Sequence, residues 1–271
     1  MKLVQNYRWV PHVLSIELKK AFSYRVAFWV QFLLGTGTDL SVAYFLWRAI
    51  FENQHATTMQ GFTFHGILYY YLFASFAGKI TRGADRGYLA QDIYDGSLTR
   101  YLLYPLSFLG FKFATHLTQQ LLGVFQLLIA LAFLAIAIGG NHAVSPASFA
   151  AGCFTCLLTG YLHFNIMSCL EMVAFWQDVV WNLVVMLRFS MSFLGGALIP
   201  LAFFPAWGQH LVSLTPFPIL VAFPARVFLG EVTLHEWVIN VALLGFWSVV
   251  FTFLAREVWL RGTRQYSGVG I

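Results

Sequence analysis

Residues 78–105, GKITRGADRGYLAQDIYDGSLTRYLLYP, form the one long charged stretch between two hydrophobic segments of this chain. The stretch, called the insert below, mixes both signs of charge: Lys79, Arg82, Arg86 and Arg100 with Asp85, Asp92 and Asp95. The segments on either side of it have the apolar composition of sequences that lie in lipid. A membrane protein that keeps such a polar element usually has something soluble to contact there.

The overall composition is that of an integral membrane protein. Of the 271 residues, 59% are hydrophobic and only 10% are charged, whereas soluble domains carry about 25% charged residues. The mean hydropathy is +0.71, and aromatic residues reach 18%, which suits lipid-facing and interfacial surfaces. The net charge of +5 predicts no nucleic-acid partner, because Lys and Arg in a membrane protein mark the cytoplasmic side.

Six apolar stretches approach the roughly 20 residues that a bilayer-spanning helix needs. They are Val26–Trp47, Phe62–Ala77, Phe113–Ile138, Ala147–Leu170, Val179–Leu198 and Trp237–Ala255. Helix-capping signals precede three of these stretches. Ser145-Pro146 lies before the fourth, Asp178 lies before the fifth, and Thr233 with Glu236 lies before the sixth. We therefore predict an all-α membrane protein with six transmembrane helices and a single domain over residues 1–271.

The distribution of positive charge predicts the orientation. With six spans, thirteen of the sixteen Lys and Arg residues fall on one side, in the N-terminal arm, after the second span and in the C-terminal tail. Lys and Arg concentrate in cytoplasmic segments, so both termini and the insert are expected in the cytoplasm. The N-terminal 25 residues lack the short apolar core of a cleaved signal peptide and are expected to remain.

Residues Trp9–Arg25 predict an interfacial helix before the first span. Their apolar residues recur at helical spacing: Val10, Val13, Leu14, Leu18, Ala21 and Phe22. Charged residues occupy the other faces, as in a helix that lies in the membrane plane. The alternative is that this segment simply extends the first span.

The insert itself predicts two short helices around a glycine. Ala84, Tyr88, Leu89 and Ile93 follow a helical spacing. Gly96 supplies a stop, and a second apolar cluster follows, with Leu98, Tyr101, Leu102 and Leu103 before Pro105. Such an amphipathic element is either anchored on lipid head groups or docks on a soluble partner. The chain has no G-x-x-x-x-G-K-[ST] motif, so it cannot bind ATP through a phosphate-binding loop of this type. If ATP is used, another chain must bind it.

Residues 196–232 combine helix-breaking prolines with an apolar composition. Five of the eight prolines lie here: Pro200, Pro205, Pro216, Pro218 and Pro224. They interrupt a continuous helix, while neighbours such as Phe204 and Phe217 argue against a solvated loop. Irregular backbone at membrane depth must be buried in protein or line a wet cavity. We therefore predict a re-entrant element on the outer side, before the last span.

Ionisable residues inside the predicted spans are costly and usually face a bundle interior or a cavity. Asp39 in the first span and Arg188 in the fifth would lie within about 6 Å of each other in height. An Asp39–Arg188 ion pair, within one subunit or between two, is therefore one hypothesis, and snorkelling or separate partners is the other. His116, His163, Asn165 and Glu171 add further polar groups; Cys153, Cys156 and Cys169 are interpreted as packing residues.

The order of short motifs along the chain resembles a known family. The motifs include Lys79-Ile80-Thr81-Arg82, Asp92-Ile93-Tyr94-Asp95-Gly96-Ser97-Leu98, Tyr101-Leu102-Leu103-Tyr104-Pro105, Gly195-Gly196-Ala197-Leu198-Ile199-Pro200 and Arg264-Gln265-Tyr266-Ser267-Gly268. In this order they resemble a permease subunit of bacterial ABC-2 type ABC transporters, in the short six-helix exporter branch without fused ATPase domains. The resemblance covers nearly the whole chain, although no single motif is highly specific.

The resemblance implies a role for each region. The insert corresponds to a coupling helix that contacts a separate ABC ATPase, with these residues as the contact: Ala84, Tyr88, Leu89, Ile93, Gly96, Leu98 and Leu102. The N-terminal helix, within residues 1–25, resembles a connecting helix. The re-entrant element resembles an outer gate formed by Pro200, Phe204, Pro205, Pro216, Phe217 and Pro224, and Asp39 and Arg188 would lie in the conduit.

The resemblance also implies the partners and the location. A second permease subunit, either the same chain or a sibling, would complete the conduit in a bacterial inner membrane. The chain would be no enzyme itself, since ATP and magnesium would bind the partner ATPase. Two other functions are weighed: an ion-coupled secondary carrier, disfavoured by the lack of a convincing internal repeat, and an intramembrane lipid-modifying enzyme, disfavoured by the lack of a clustered acid, base or metal set.

Overall fold

Long helices dominate the computed structural model, which describes residues 9–83, 88–104, 106–138 and 145–266. The elements in chain order are α1 (Val10–Ser23), α2 (Arg25–Gln54), β1 (Thr58–Met59), β2 (Phe62–Thr63), α3 (Phe64–Arg82), α4 (Tyr88–Tyr94), α5 (Leu98–Leu103), α6 (Phe108–Ile138), α7 (Pro146–Glu171), α8 (Trp181–Leu194), α9 (Ala206–Ser213), α10 (Phe217–Leu220), α11 (Ala222–Leu229) and α12 (Leu234–Gln265). Two 3-10 turns lie at Met172–Phe175 and Leu201–Phe203. The two strands pair antiparallel in a small hairpin.

Four helices in these ranges are long and apolar enough to cross a bilayer. They are α2, α6, α12, and α7 with the 3-10 turn that follows it. They coincide with the first, third, fourth and sixth predicted spans, and each contains at least 25 residues in its candidate span. An all-α architecture of membrane type is therefore confirmed, while the count of six spans stays a prediction.

The second and fifth predicted spans correspond to α3 and α8, which are not among the helices long and apolar enough to cross a bilayer. α8 has 14 residues, or about 21 Å at 1.5 Å per residue, which is less than the roughly 30 Å of a hydrocarbon core. α3 has 19 residues, but its tyrosines, His65 and Lys79 lower its hydropathy. Ten of the α3 residues are buried against neighbouring helices, so α3 lies inside the bundle.

The N-terminal segment forms a helix distinct from the first span. α1 ends at Ser23, and Tyr24, with φ −100° and ψ 34°, separates it from α2. Val13 of α1 is buried, and the Trp9 ring lies 6.4 Å from the Phe111 ring of α6. α1 packs against the start of α6, and the choice between an interfacial helix and an extension of the first span stays a prediction.

Two of the three predicted capping signals are present. The Ser145 Oγ accepts a hydrogen bond from the Ser148 amide at 3.5 Å, with Pro146 in the first turn of α7. The Thr233 Oγ1 accepts one from the Glu236 amide at 3.2 Å at the start of α12. The prediction for Asp178 is wrong, because α8 begins later and has Val180 at its N-cap without a side-chain hydrogen bond.

α3 is the central helix of the bundle and contacts α2, α6, α7 and α11. It starts at the β-hairpin and ends at the insert, so the two ends of the bundle are called the hairpin end and the insert end. In the middle of α3, the Phe73 ring stacks on Phe228 of α11, with the ring centres 5.5 Å apart. Near the insert end, the Thr81 hydroxyl lies 2.9 Å from that of Thr159 and donates to the Leu220 carbonyl oxygen at 3.2 Å.

Gly160 allows a close approach between α6 and α7. The buried Gln120 side chain of α6 crosses it, and its Nε2 donates to the Cys156 carbonyl oxygen at 3.1 Å. A Cβ atom added at Gly160 would lie 1.6 Å from that Nε2. A side chain at this position must therefore displace the amide.

We expect Gly160→Ala to destabilise the purified protein by about 1–3 kcal/mol, because an added methyl overpacks the buried contact. Thermal unfolding in detergent, followed by tryptophan fluorescence, measures the change. Gly245→Ala in α12 is the matched control, since a Cβ there meets nothing within 4 Å. Equal unfolding temperatures for the two variants would contradict the tight α6–α7 contact.

Candidate functional site

The insert forms two short helices joined at a glycine, as predicted. Gly96, between α4 and α5, has a φ of 75°, a conformation that glycine adopts without strain. The Asp95 Oδ1 accepts a hydrogen bond from the Ser97 amide at 3.0 Å, and this bond lowers the pKa of the Asp95 carboxyl. The turn therefore holds an ionised carboxylate at neutral pH. Ala84 lies outside the described residues.

The apolar face of the insert packs against its own chain. Leu89 and Ile93 are 4% exposed and Leu98 is 0% exposed. All three belong to the main hydrophobic core. The prediction that these side chains contact a partner therefore needs correction, because a buried side chain cannot touch another protein without leaving the core. Their burial instead fixes the insert to the end of the bundle.

α4 is attached at one end to the last residue of α7 and at the other end to the segment that joins α7 to α8. The Leu89 amide, in the first turn of α4, donates to Oε2 of the buried Glu171 at 3.0 Å. At the other end, the Tyr94 hydroxyl donates to the Gln177 carbonyl oxygen at 3.1 Å and accepts from the Val180 amide at 3.0 Å. α4 cannot shift without straining the end of α7 or the start of α8.

Further contacts connect the insert to α6 and α12. Lys112 of α6 forms an ion pair with Asp92, and both side chains are largely shielded from solvent. The Lys112 Nζ also lies 5.2 Å from the centre of the Tyr101 ring. The hydroxyls of Thr99 and Tyr266 lie 3.2 Å apart, which joins α5 to the residue after α12. The insert thus contacts the ends of α6, α7, α8 and α12 together.

Among the described residues of the insert, the exposed large apolar side chains lie on and just after α5. Leu102 is 49% exposed, Leu103 81% and Tyr104 51%. Arg100 is exposed beside them. These four residues, called the α5 ridge below, form a small apolar surface with one positive charge. Of the residues predicted to contact a partner, Leu102 is the one on this ridge.

Asp39 and Arg188 line a common cavity among the helices. The Asp39 Oδ2 lies 3.5 Å from the Lys79 Nζ and accepts a hydrogen bond from the Ser75 hydroxyl at 2.6 Å. The Lys79 Nζ also donates to the Thr36 Oγ1 at 2.7 Å. Sequence reasoning missed the Asp39–Lys79 pair because it placed Lys79 outside the second span. A direct Asp39–Arg188 pair stays a prediction.

Short helical pieces, from the 3-10 turn at Leu201–Phe203 to α11, follow α8 where the re-entrant element was predicted. Pro200, Pro216 and Pro224 are buried, Phe204 and Phe217 are partly buried, and Pro205 is exposed. The Phe204 ring lies 5.2 Å from that of Phe193 at the end of α8. The gating role of these residues stays a prediction.

Two tyrosines of α3 hold the turn after α8, and sequence reasoning missed both. The Tyr70 hydroxyl donates to the Gly196 carbonyl oxygen at 2.8 Å, and the Tyr71 hydroxyl donates to that of Leu198 at 2.7 Å. Gly196 has a φ of 82°, and a Cβ there would lie 2.8 Å from the Tyr70 hydroxyl. The Tyr-Tyr-Tyr run in an apolar span was the available signal, since buried tyrosine hydroxyls need partners.

Comparison with known protein families gives a match over most of the chain. The family model described as "ABC-2 family transporter protein" matches residues 38–270. No curated protein and no solved structure matches. The matched range includes the insert, the cavity and the elements from α3 to α12.

The attachment of α4 predicts that Glu171→Ala loosens the insert. A hydrogen bond to a carboxylate contributes about 1.5–3 kcal/mol, so amide exchange across residues 88–104 should accelerate by about tenfold or more. Hydrogen–deuterium exchange with mass spectrometry measures this. Glu257→Ala, which removes an exposed carboxylate 3.7 Å from Arg261, is the control and should leave these residues unchanged. Unchanged exchange in Glu171→Ala would contradict the attachment.

Proposed function

Because the chain belongs to the ABC-2 transporter family, we propose that it is the transmembrane permease subunit of an ATP-driven exporter and is coupled to a separate ATPase. The family and the apolar helices together indicate a multi-pass membrane protein. Members of this family typically are non-catalytic transmembrane subunits, and the family implies an ABC ATPase partner in general. ATP and magnesium would therefore bind to the partner, in agreement with the lack of a phosphate-binding loop motif.

The observation that carries the proposal is the attachment of the insert to four helix ends. A force on the insert reaches α7 and α8 through Glu171 and Tyr94, and reaches α6 through Lys112. These connections are buried or partly buried, so they resist sliding better than exposed side-chain contacts do. When two ATPase subunits close on ATP, the insert would transmit that movement to the transmembrane helices.

The α5 ridge is the part of the insert that we propose contacts the ATPase. Leu102, Leu103 and Tyr104 offer exposed apolar surface, and Arg100 offers a charge at its edge. Apolar and aromatic centres with polar rims are the usual composition of protein interfaces. The proposed contact thus moves from the buried face of α4 to the exposed end of α5.

Half of the conduit would be formed by this chain and half by a second permease subunit, either a copy or a sibling. α2 supports this, since it leaves large apolar side chains exposed: Val26, Leu33, Leu34, Val42 and Phe45. α8 does the same with Trp181, Met186 and Phe189. A second subunit or lipid would cover these surfaces. The charge distribution supports placing both termini in the cytoplasm, and a bacterial inner-membrane location is part of the proposal.

We expect the double variant Arg100→Glu with Leu103→Asp to lose the ABC ATPase that co-purifies with the unmodified chain. A charge buried at the centre of an interface costs a few kcal/mol, so recovery of the ATPase should fall by about tenfold or more. The measurement is affinity purification after co-expression, with the ATPase identified by mass spectrometry and its hydrolysis assayed.

Leu214→Asp is the matched control, because Leu214 is also strongly exposed and lies after α9, away from the insert. It should leave recovery of the ATPase unchanged. Ile93→Asp should instead lower the unfolding temperature, because Ile93 is in the core. Full recovery with the double variant would contradict the proposed contact, and absence of an ABC ATPase even with the unmodified chain would contradict the proposed function.

A further inference from the structure

The last helix, α12, is longer than a bilayer is thick. Its 32 residues span about 48 Å at 1.5 Å per residue, whereas a hydrocarbon core measures about 30 Å. The predicted sixth span, Trp237–Ala255, uses about 28 Å of that length. Residues 256–265 continue the same helix at the insert end. This part, called the α12 extension below, would stand outside the hydrocarbon core.

Aromatic rings hold the α12 extension against the bundle. The Trp259 ring stacks on Phe108 of α6, with the ring centres 5.2 Å apart. The centre of the Phe175 ring lies 6.0 Å from that of Trp259 and 6.0 Å from that of Tyr266. Gly262 permits this approach, because a Cβ atom there would overlap the Phe175 ring. The α12 extension is therefore a fixed part of the bundle.

The side of the α12 extension that these rings leave uncovered is basic. Arg256, Arg261 and Arg264 are all exposed. Arg261 pairs with Glu257 at 3.7 Å, and both side chains are largely exposed. Arg256 and Arg264 have no ion pair among the described residues, and residues 267–271, which the structure does not describe, contain no Asp or Glu. This surface can therefore offer guanidinium groups to a partner.

The height of Arg264 favours a soluble partner over a lipid. A head-group layer adds only about 5–8 Å to each side of the hydrocarbon core. Arg256 directly follows the predicted span and is at the height of this layer, where Lys and Arg are common on the cytoplasmic side. Arg264 lies about 14 Å past Ala255 along the helix axis. It thus lies beyond the head groups, in aqueous surroundings.

The α12 extension and the α5 ridge are neighbours. The hydroxyls of Tyr266 and Thr99 lie 3.2 Å apart. Thr99 precedes Arg100 of the ridge, and Arg264 lies two residues before Tyr266. A protein that contacts the α5 ridge therefore comes close to Arg264 as well.

We infer that the α12 extension is a second contact surface for the ABC ATPase, where Arg261 and Arg264 face an acidic patch of that protein. This inference rests on the proposed function, because it adds a further contact to the proposed complex. An apolar centre with a charged rim is the usual arrangement of an interface, and the α5 ridge and the α12 extension would supply these two parts. The ATPase would then move the last span together with the insert.

The rate at which the purified ATPase associates with the full-length chain tests this contact. The chain is held in nanodiscs of neutral phosphatidylcholine. Arg264→Glu should lower the association rate constant by about fivefold at about 0.05 M salt, because the reversed charge repels an acidic patch. The difference should shrink below about twofold at about 0.5 M salt, where charges are screened within about 4 Å. Equal rates for the variant and the unmodified chain at low salt would overturn the inference.

Two further variants separate the effect of charge from other effects. Arg264→Lys keeps the charge and should associate at nearly the unmodified rate. Arg48→Glu reverses an exposed arginine near the hairpin end of α2, where it pairs with Glu52, and should leave the rate unchanged. Thermal unfolding of each variant verifies that it is folded. A rate for Arg264→Lys as low as that for Arg264→Glu would overturn the electrostatic role.

The lipid composition of the nanodiscs distinguishes an acidic protein from an anionic head group. If Arg264→Glu slows association only in discs that contain phosphatidylglycerol, the partner of Arg264 is a lipid and the inference is overturned. If the ATPase binds but Arg264→Glu does not slow it in either kind of disc, this inference alone fails. If no ABC ATPase binds the unmodified chain, the proposed function fails and this inference fails with it.

Discussion

The burial of one face of the insert against the ends of the transmembrane helices is the constraint on which the rest of the structure depends. Leu89, Ile93 and Leu98 belong to the core of the bundle, and the ends of α4 bond to Glu171 and to the backbone before α8. An element held in this way cannot move independently. Its exposed side is thereby left for the proposed ATPase, and its buried side would convert a force from that partner into a displacement of four helices.

α3 extends this connection through the bundle. One end of α3 leads into the insert, and Thr81 bonds there to the Leu220 carbonyl oxygen before α11. The other half carries Tyr70 and Tyr71, whose hydroxyls hold the turn after α8. The cavity lies along the same helix, between Tyr71 and Arg82. A single buried helix therefore contacts the insert, the charged cavity and the short helices before the last span.

The sequence predicted the long elements and the glycine break of the insert but not the partners of its side chains. Apolar runs and the caps at Ser145 and Thr233 are local signals, and local signals place helices well. The helical spacing of Leu89 and Ile93 indicated a covered face, but spacing cannot tell whether the cover is the chain itself or another protein. The Asp39–Lys79 pair and the Tyr94 bridge join residues far apart in sequence, so they required the fold.

The central claim is that the α5 ridge, and not the buried face of α4, contacts the ATPase. A photo-crosslinking amino acid placed at position 103 or at position 93 tests it directly in the assembled complex. We predict a crosslink to the ABC ATPase from position 103, since Leu103 is 81% exposed, and none from position 93, since Ile93 is 4% exposed. A crosslink to the ATPase from position 93 with none from position 103 would contradict this claim.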